Sequence, residues 1–149
     1  MNHRPAVENE QTRNVIDAAV DVTAVRIEFF TGNVRAAGTD AAVFLRVGER
    51  TFPLPEEHGK DPFERGAHDA FVFVMDPPMK LADLRKAEIE VYHNSEGRNP
   101  GWNLAMIKLW VSLSSQPGQG LLYKEWTDIG WLAIDEAPFA TQVTLQVAG

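Results

Sequence analysis

Histidine is the side chain most often used to ligate metals or move protons near neutral pH, and this chain has His3, His58, His68 and His93. None falls in the HExxH spacing that sets two imidazoles on one helix face around zinc, and no other pair has metal-ligand spacing. A nucleophilic hydrolase of the G-x-S-x-G type, a Walker phosphate loop and a G-x-G-x-x-G dinucleotide fingerprint are all missing. With no cysteine, thiolate metal sites and disulfides are excluded, a composition that fits a reducing compartment. His93 closes a strand-like run, where a histidine is ordinarily a hydrogen-bonded structural group. The expectation is that the chain is not an enzyme.

The elements that must position any site alternate with period two. Val25, Ile27 and Phe29 alternate with Arg26 and Glu28, and Val43, Leu45 and Val47 with Phe44 and Arg46. Ile89 and Val91 alternate with Glu88, Glu90 and Tyr92. One apolar and one polar face per strand predicts antiparallel sheets packed on one side. Phe71 to Met75 is apolar on both faces and reads as a central strand. From Trp102 to Leu113 the apolar parity changes between Leu104 and Ile107, which predicts a bulge. Thr141 to Val147 supplies a last strand. Gly and Pro separate the runs, among them Gly48, Pro53, Gly59, Pro77, Pro100 and Gly118. The pattern predicts an all-β, antiparallel sandwich. Val25, Ile27, Val43, Leu45, Phe71, Ile89, Val91, Trp102 and Leu109 are its expected core. Ahead of it, Asn9 to Val22 carries an apolar stripe of Val15, Ile16, Ala19 and Val20 beside Asp17 and Asp21, which reads either as a short helix or as an arm. The domain reading is therefore 1–22 for the arm or helix and 23–149 for the sandwich.

A chain of 149 residues with 44% hydrophobic and 23% charged side chains is long enough to bury one substantial core. Its net charge of −7 argues against a nucleic-acid partner and gives a repulsive background at an anionic membrane. No apolar run reaches bilayer length, and Met1 to Gln11 lacks the apolar stretch of a secretory signal, so a soluble, cytoplasmic setting is expected.

Three segments carry a resemblance. They are Thr31-Gly32-Asn33-Val34-Arg35-Ala36-Ala37-Gly38-Thr39-Asp40, then Phe63-Glu64-Arg65-Gly66-Ala67-His68-Asp69-Ala70-Phe71, then Tyr92-His93-Asn94-Ser95-Glu96-Gly97-Arg98-Asn99-Pro100-Gly101-Trp102-Asn103-Leu104. In this order and spacing the chain, from about Ala24 onward, resembles the PLAT (polycystin, lipoxygenase, alpha-toxin) or lipoxygenase-homology domain. The resemblance implies eight strands in two four-stranded sheets packed face to face, and a binding module in place of a catalyst.

It also implies where binding would occur. In calcium-binding relatives, loop carbonyls and carboxylates around the Gly-Thr pair wrap the ion, which takes six to eight oxygens. Carried over by position, Gly38, Thr39, Asp61 and Glu64 keep oxygen-bearing places. Ala36, Pro62 and Gly101 stand where relatives place acids, and Asn94 keeps an oxygen without the charge. Glu57 is a further carboxylate in a neighbouring loop. Weak or absent calcium binding is the expectation. Lipid-binding relatives insert bulky aromatics from loop tips, where Trp and Tyr suit the interface, but the matching tip here is Asn33, Val34 and Arg35. Trp126 and Trp131 lie in the C-terminal third, and the Trp131-Leu132 pair resembles a Trp-Leu or Trp-Ile pair of the family, which implies that it is packed. In the block that begins at Phe63, Phe63 plugs the core, Gly66 makes the turn, and Arg65 pairs with a carboxylate such as Asp69. Gly32 and Gly38 offer positive-φ conformations for the first loop.

The functional reading is a stand-alone, non-catalytic adaptor directed to a protein, with membrane lipid as a further target. A calcium-dependent membrane-targeting module is the first alternative, and a small hydrolase or ligand-binding sandwich with an unrecognised site is the second. The discriminator is the surface. Exposed aromatics at loop tips favour a membrane, a flat apolar patch favours a protein, and a deep pocket with histidine and carboxylate favours chemistry.

Overall fold

The computed structural model describes residues 4–5, 19–39, 41–54, 63–95 and 101–147. The strands are β1 (Arg4–Pro5), β2 (Asp21–Thr31), β3 (Val43–Val47), β4 (Arg50–Leu54), β5 (His68–Lys80), β6 (Glu88–His93), β7 (Trp102–Leu113), β8 (Gly120–Leu132) and β9 (Gln142–Gln146), with one short helix, α1 (Leu81–Lys86). Eight of these strands form two four-stranded antiparallel sheets, β8-β7-β2-β5 and β4-β3-β6-β9. The two-residue β1 adds to the free edge of β8, with Arg4 opposite Thr127 and Pro5 opposite Trp126.

Alternation along each strand turns one face inward, and the two inward faces meet in a single core. All nine expected core residues are buried there, together with Phe29, Leu104, Ile107 and Tyr123. The parity change in β7 is a real irregularity: its register against β8 shifts between Leu104 and Met106. α1 closes the far end by burying Leu81 and Leu84.

Two expectations are corrected. The helix over Asn9 to Val22 does not extend through its described part: Ala19 and Val20 form a turn and bend, Asp21 and Val22 already belong to β2, and Val22 is fully buried. Pairing of Val22 with Leu113 and Met79 outcompetes a local helical turn. Residues 6–18 lie outside the described set. Second, β5 is an edge strand. Its apolar outer residues Val72 and Val74 face away from the core, and Phe73 packs across the sheets on Phe52 at 4.7 Å between ring centroids.

Candidate functional site

Antiparallel topology sends four connections out of one end of the sandwich: β2–β3, β4–β5, β6–β7 and β8–β9. The opposite end carries the tight β3–β4 turn, α1 and the β7–β8 turn. The first end is where the three motif segments meet.

Backbone hydrogen bonds stitch these loops together. Gly32 N–H donates to Asn103 O at 2.8 Å, Asn103 N–H to Ala37 O at 2.8 Å, Gly66 N–H to Gly32 O at 3.1 Å, and Thr39 N–H to Phe63 O at 3.1 Å. Gly38 lies so close to its neighbour that a Cβ there would stand 2.9 Å from Phe63 O and 3.0 Å from Arg65 N. The glycine requirement at Gly38 is thus close approach and not positive φ. In this loop the left-handed residue is Ala36, with φ of 60°. Gly66, at φ of 72°, makes its turn as expected.

Below the loops lies an aromatic plug. Phe63 packs on Phe29, Phe71 and Trp102, with centroids 5.6, 5.7 and 4.7 Å away. The Trp102 indole N–H donates to Thr31 Oγ1. Asp69 does not pair with Arg65: its carboxylate accepts the Phe63 N–H at 2.8 Å, which holds the plug in place, while Arg65 Nε donates to Asn33 Oδ1 at 3.1 Å. A backbone donor inside the turn is a nearer partner for Asp69 than a side chain pointing to solvent. His93 is structural. Its Nε2 donates to Leu132 O at 2.7 Å and its Nδ1 accepts from Ser95 N–H at 3.0 Å, which fixes the tautomer.

Of the residues carried over as oxygen donors, Gly38, Thr39 and Glu64 are brought together at this end, and Asp61 lies outside the described residues, as do Glu57 and Pro62. Thr39 Oγ1 accepts from Ala41 N–H, and Asn94 Oδ1 from Ala42 N–H. Glu64 is then the one carboxylate of the carried-over set among the described residues, and no group of three or more histidines or carboxylates there could hold a metal.

Asn33, Val34 and Arg35 are exposed, as a binding tip requires. The structure adds two residues that the sequence reading passed over. In the β8–β9 connection Ile134 and Phe139 are each 67% exposed, against 46% for Val34. That connection neighbours the first loop through the β7 entry: Asn103 bonds Ala37, and a Cβ on Gly101 would touch Ala133 at 3.2 Å. The signal that could have found Phe139 is a large aromatic in a stretch bounded by Asp135-Glu136 and Pro138, where no strand face is available to bury it. Trp126 and Leu132 are buried and Trp131 is half-buried. Beside this connection Ile129, Trp131, Leu132, Pro138, Val143 and neighbours line a groove of about 360 Å³, whose lining carries neither histidine nor carboxylate.

The outer face of the β8-β7-β2-β5 sheet carries polar and charged side chains that contact one another across the strands. Glu28 meets His68 and lies 4.0 Å from Arg26, Lys108 lies 3.6 Å from Glu125, and Phe30 stacks on His68 with centroids 4.3 Å apart.

A two-sheet sandwich with interlocked motif loops at one end defines a β-sandwich module that presents loops. No family model matches the chain. It is 35% identical over 130 residues to the human lipoxygenase homology domain-containing protein 1 and 36% identical over 130 residues to the mouse protein, with 83% of this chain aligned in each case. The chain spans 6% of the length of these relatives. Among solved structures it is similar to the alpha toxin of Clostridium absonum, with TM-score 0.59 and 15% identity over 90% of this chain and 34% of the toxin. It is also similar to coral 8R-lipoxygenase, described with calcium activation through a C2-like domain, with TM-score 0.58 and 18% identity over 83% of this chain and 16% of the enzyme. The chain belongs to the PLAT, or lipoxygenase-homology, domain family.

Proposed function

We propose that this PLAT module is a non-catalytic adaptor that docks its loop end on a lipid surface, with Phe139, Ile134 and Val34 entering the interface. The observation that carries the reading is the placement of three exposed large hydrophobic side chains on neighbouring loops at one end. The sequence favoured a protein partner because the Asn33–Arg35 tip lacks an aromatic; Phe139 supplies one from another loop and reverses that weighing. Burying a side chain of this size contributes about 1.5–3 kcal/mol. Asp135 and Glu136 sit beside it, and the chain is acidic, so the attraction is hydrophobic and favours zwitterionic over anionic headgroups. Among the described residues no helix is long and apolar enough to cross a membrane.

A calcium-dependent form of this reading draws on the coral relative's calcium activation, and the carboxylates it would use beside Glu64, namely Asp61 and Glu57, lie outside the described residues. Vesicle sedimentation tests both points. Binding to zwitterionic vesicles that is equal in calcium and in chelator, and weakened about tenfold by Phe139→Ala, is the expected result. Binding that needs calcium and is abolished by Asp61→Ala with Glu64→Ala would establish the calcium-dependent alternative. No binding under either condition would return the loop end to a protein partner.

A further inference from the structure

The groove beside the β8–β9 connection exists because β8 carries a bulge. Met106 pairs with Thr127 and Leu104 with Gly130, so Asp128 and Ile129 stand opposite Ala105 alone. Left-handed Asp128, at φ of 57°, and Gly130, at φ of 92°, flank Ile129 and re-aim it. Buried Ile129, Leu132 and Val143 form the floor, with Trp131, Pro138 and Ala140 as half-exposed or exposed flanks. On the side away from the loops, the Trp126 indole N–H donates to Gln146 O at 3.2 Å and ties β8 to β9. On the loop side, Ala133 N–H donates to Ala140 O at 2.9 Å, and Ile134 and Phe139 stand just beyond this neck. Pro138 is both exposed and part of the lining, so the groove reaches the surface beside Phe139.

No lining residue is charged, and the polar ones, Gln142 and Thr144, are exposed. A polar ligand would find no convergent partners to orient it, which small-molecule sites ordinarily provide. At about 360 Å³ the groove stands at the small end of ligand pockets, which run from about 300 to 1,000 Å³. A slim, flexible, apolar occupant meets these limits.

We propose that the groove takes one acyl chain of a membrane phospholipid, whose headgroup stays at the rim beside Pro138. This rests on the reading that Phe139, Ile134 and Val34 enter a lipid surface, since that contact brings acyl chains to the groove. A chain already in a bilayer gains nothing by moving. The gain is the apolar surface of Trp131, Pro138 and Ala140 leaving water. The docked module then holds a lipid as well as resting on the surface, which slows its departure.

Lysophosphatidylcholines of increasing chain length, kept monomeric below their critical micelle concentrations, isolate the groove from the bilayer. Calorimetric titration of the full chain is expected to show affinity rising about fourfold with each added methylene, then levelling once the groove is filled. Ala140→Leu and, on β9, Thr144→Phe add bulk to the lining. Each is expected to weaken binding by at least about tenfold with the melting temperature unchanged. A brominated chain, which quenches indole emission on contact, is expected to dim the wild type. Most of that effect should vanish in Trp131→Phe and persist in Trp110→Phe, since Trp110 meets Arg26 on the outer sheet face. Zwitterionic vesicles form the second arm. Vesicle binding without lysolipid binding would overturn the proposal and leave the loop-end reading standing. So would lysolipid binding that ignores chain length, both groove variants or Trp131. Lysolipid binding without vesicle binding would overturn the membrane source together with the loop-end reading, and assign the groove to a free single-chain lipid.

Discussion

The Trp102 indole N–H donates to the Thr31 hydroxyl across 2.9 Å, with both residues buried where β7 leaves the loop end and β2 enters it. The bond joins the first and third motif segments through the core, underneath the loops it supports. Thr31→Val keeps the shape and removes the acceptor, which leaves a buried donor unsatisfied. The expected loss is about 1–3 kcal/mol in denaturant unfolding. Trp102→Phe opens space in the core in either background, but it should cost less beside Thr31→Val than in the wild type, because the orphaned N–H is then gone.

Gly38 and Ala36 make a contrasting pair within one loop. Gly38→Ala drives a Cβ against Phe63 O and Arg65 N, which are backbone atoms that cannot rotate away, and should cost about 1–3 kcal/mol. Ala36→Gly relieves a left-handed alanine at φ of 60° and should leave stability unchanged or raised by less than about 1 kcal/mol. Thermal melts of the two variants check both signs.

Ile89 is fully buried at the centre of the second sheet, opposite Val47 and Leu145. Ile89→Ala should cost about 2–5 kcal/mol in chemical denaturation. A change near zero would mean that the two sheets do not pack as described.

Phe139 and Ile134 should behave in the opposite way. Exposed as they are, their replacement by alanine should alter stability by less than about 0.5 kcal/mol while lowering vesicle binding. A Phe139→Ala protein that melts much earlier than wild type would place the ring in the fold and not at an interface.

Much of the sandwich was legible because period-two alternation is a direct consequence of burying one sheet face. Val25, Ile27 and Phe29 declare that face without help from the rest of the chain. β5 was misplaced for a related reason. Phe71, Val72, Phe73, Val74 and Met75 are all apolar, and local pattern cannot distinguish a strand buried on both faces from an edge whose outer face is open. At the loop end, the motif segments told which stretches converge, and the hydrogen bonds among Gly32, Asn103, Ala37 and Gly66 bear this out. Individual roles were less legible. Asp69 as a backbone acceptor, Gly38 as a point of close approach and Phe139 as an exposed tip depend on which loops lie side by side, and no single window of sequence contains that. The stretch from Ala19 to Val22 misled through an apolar stripe whose last member, Val20, packs on the core from a bend.

The cross-bonding of the loops bears on what binding there would cost. A flexible loop that orders on contact gives up conformational entropy at that moment, roughly 0.5–1.5 kcal/mol for each rotamer-rich side chain it immobilises. Here the carbonyls of Gly32, Ala37 and Phe63 are already held by neighbouring loops. The backbone of the first loop is therefore fixed when the chain folds and not when it meets a partner. Its side chains, Val34 and Arg35, are left to adjust. Such an end suits rapid, repeated engagement, with selectivity set by the shape of the frame and strength by whichever few side chains project from it.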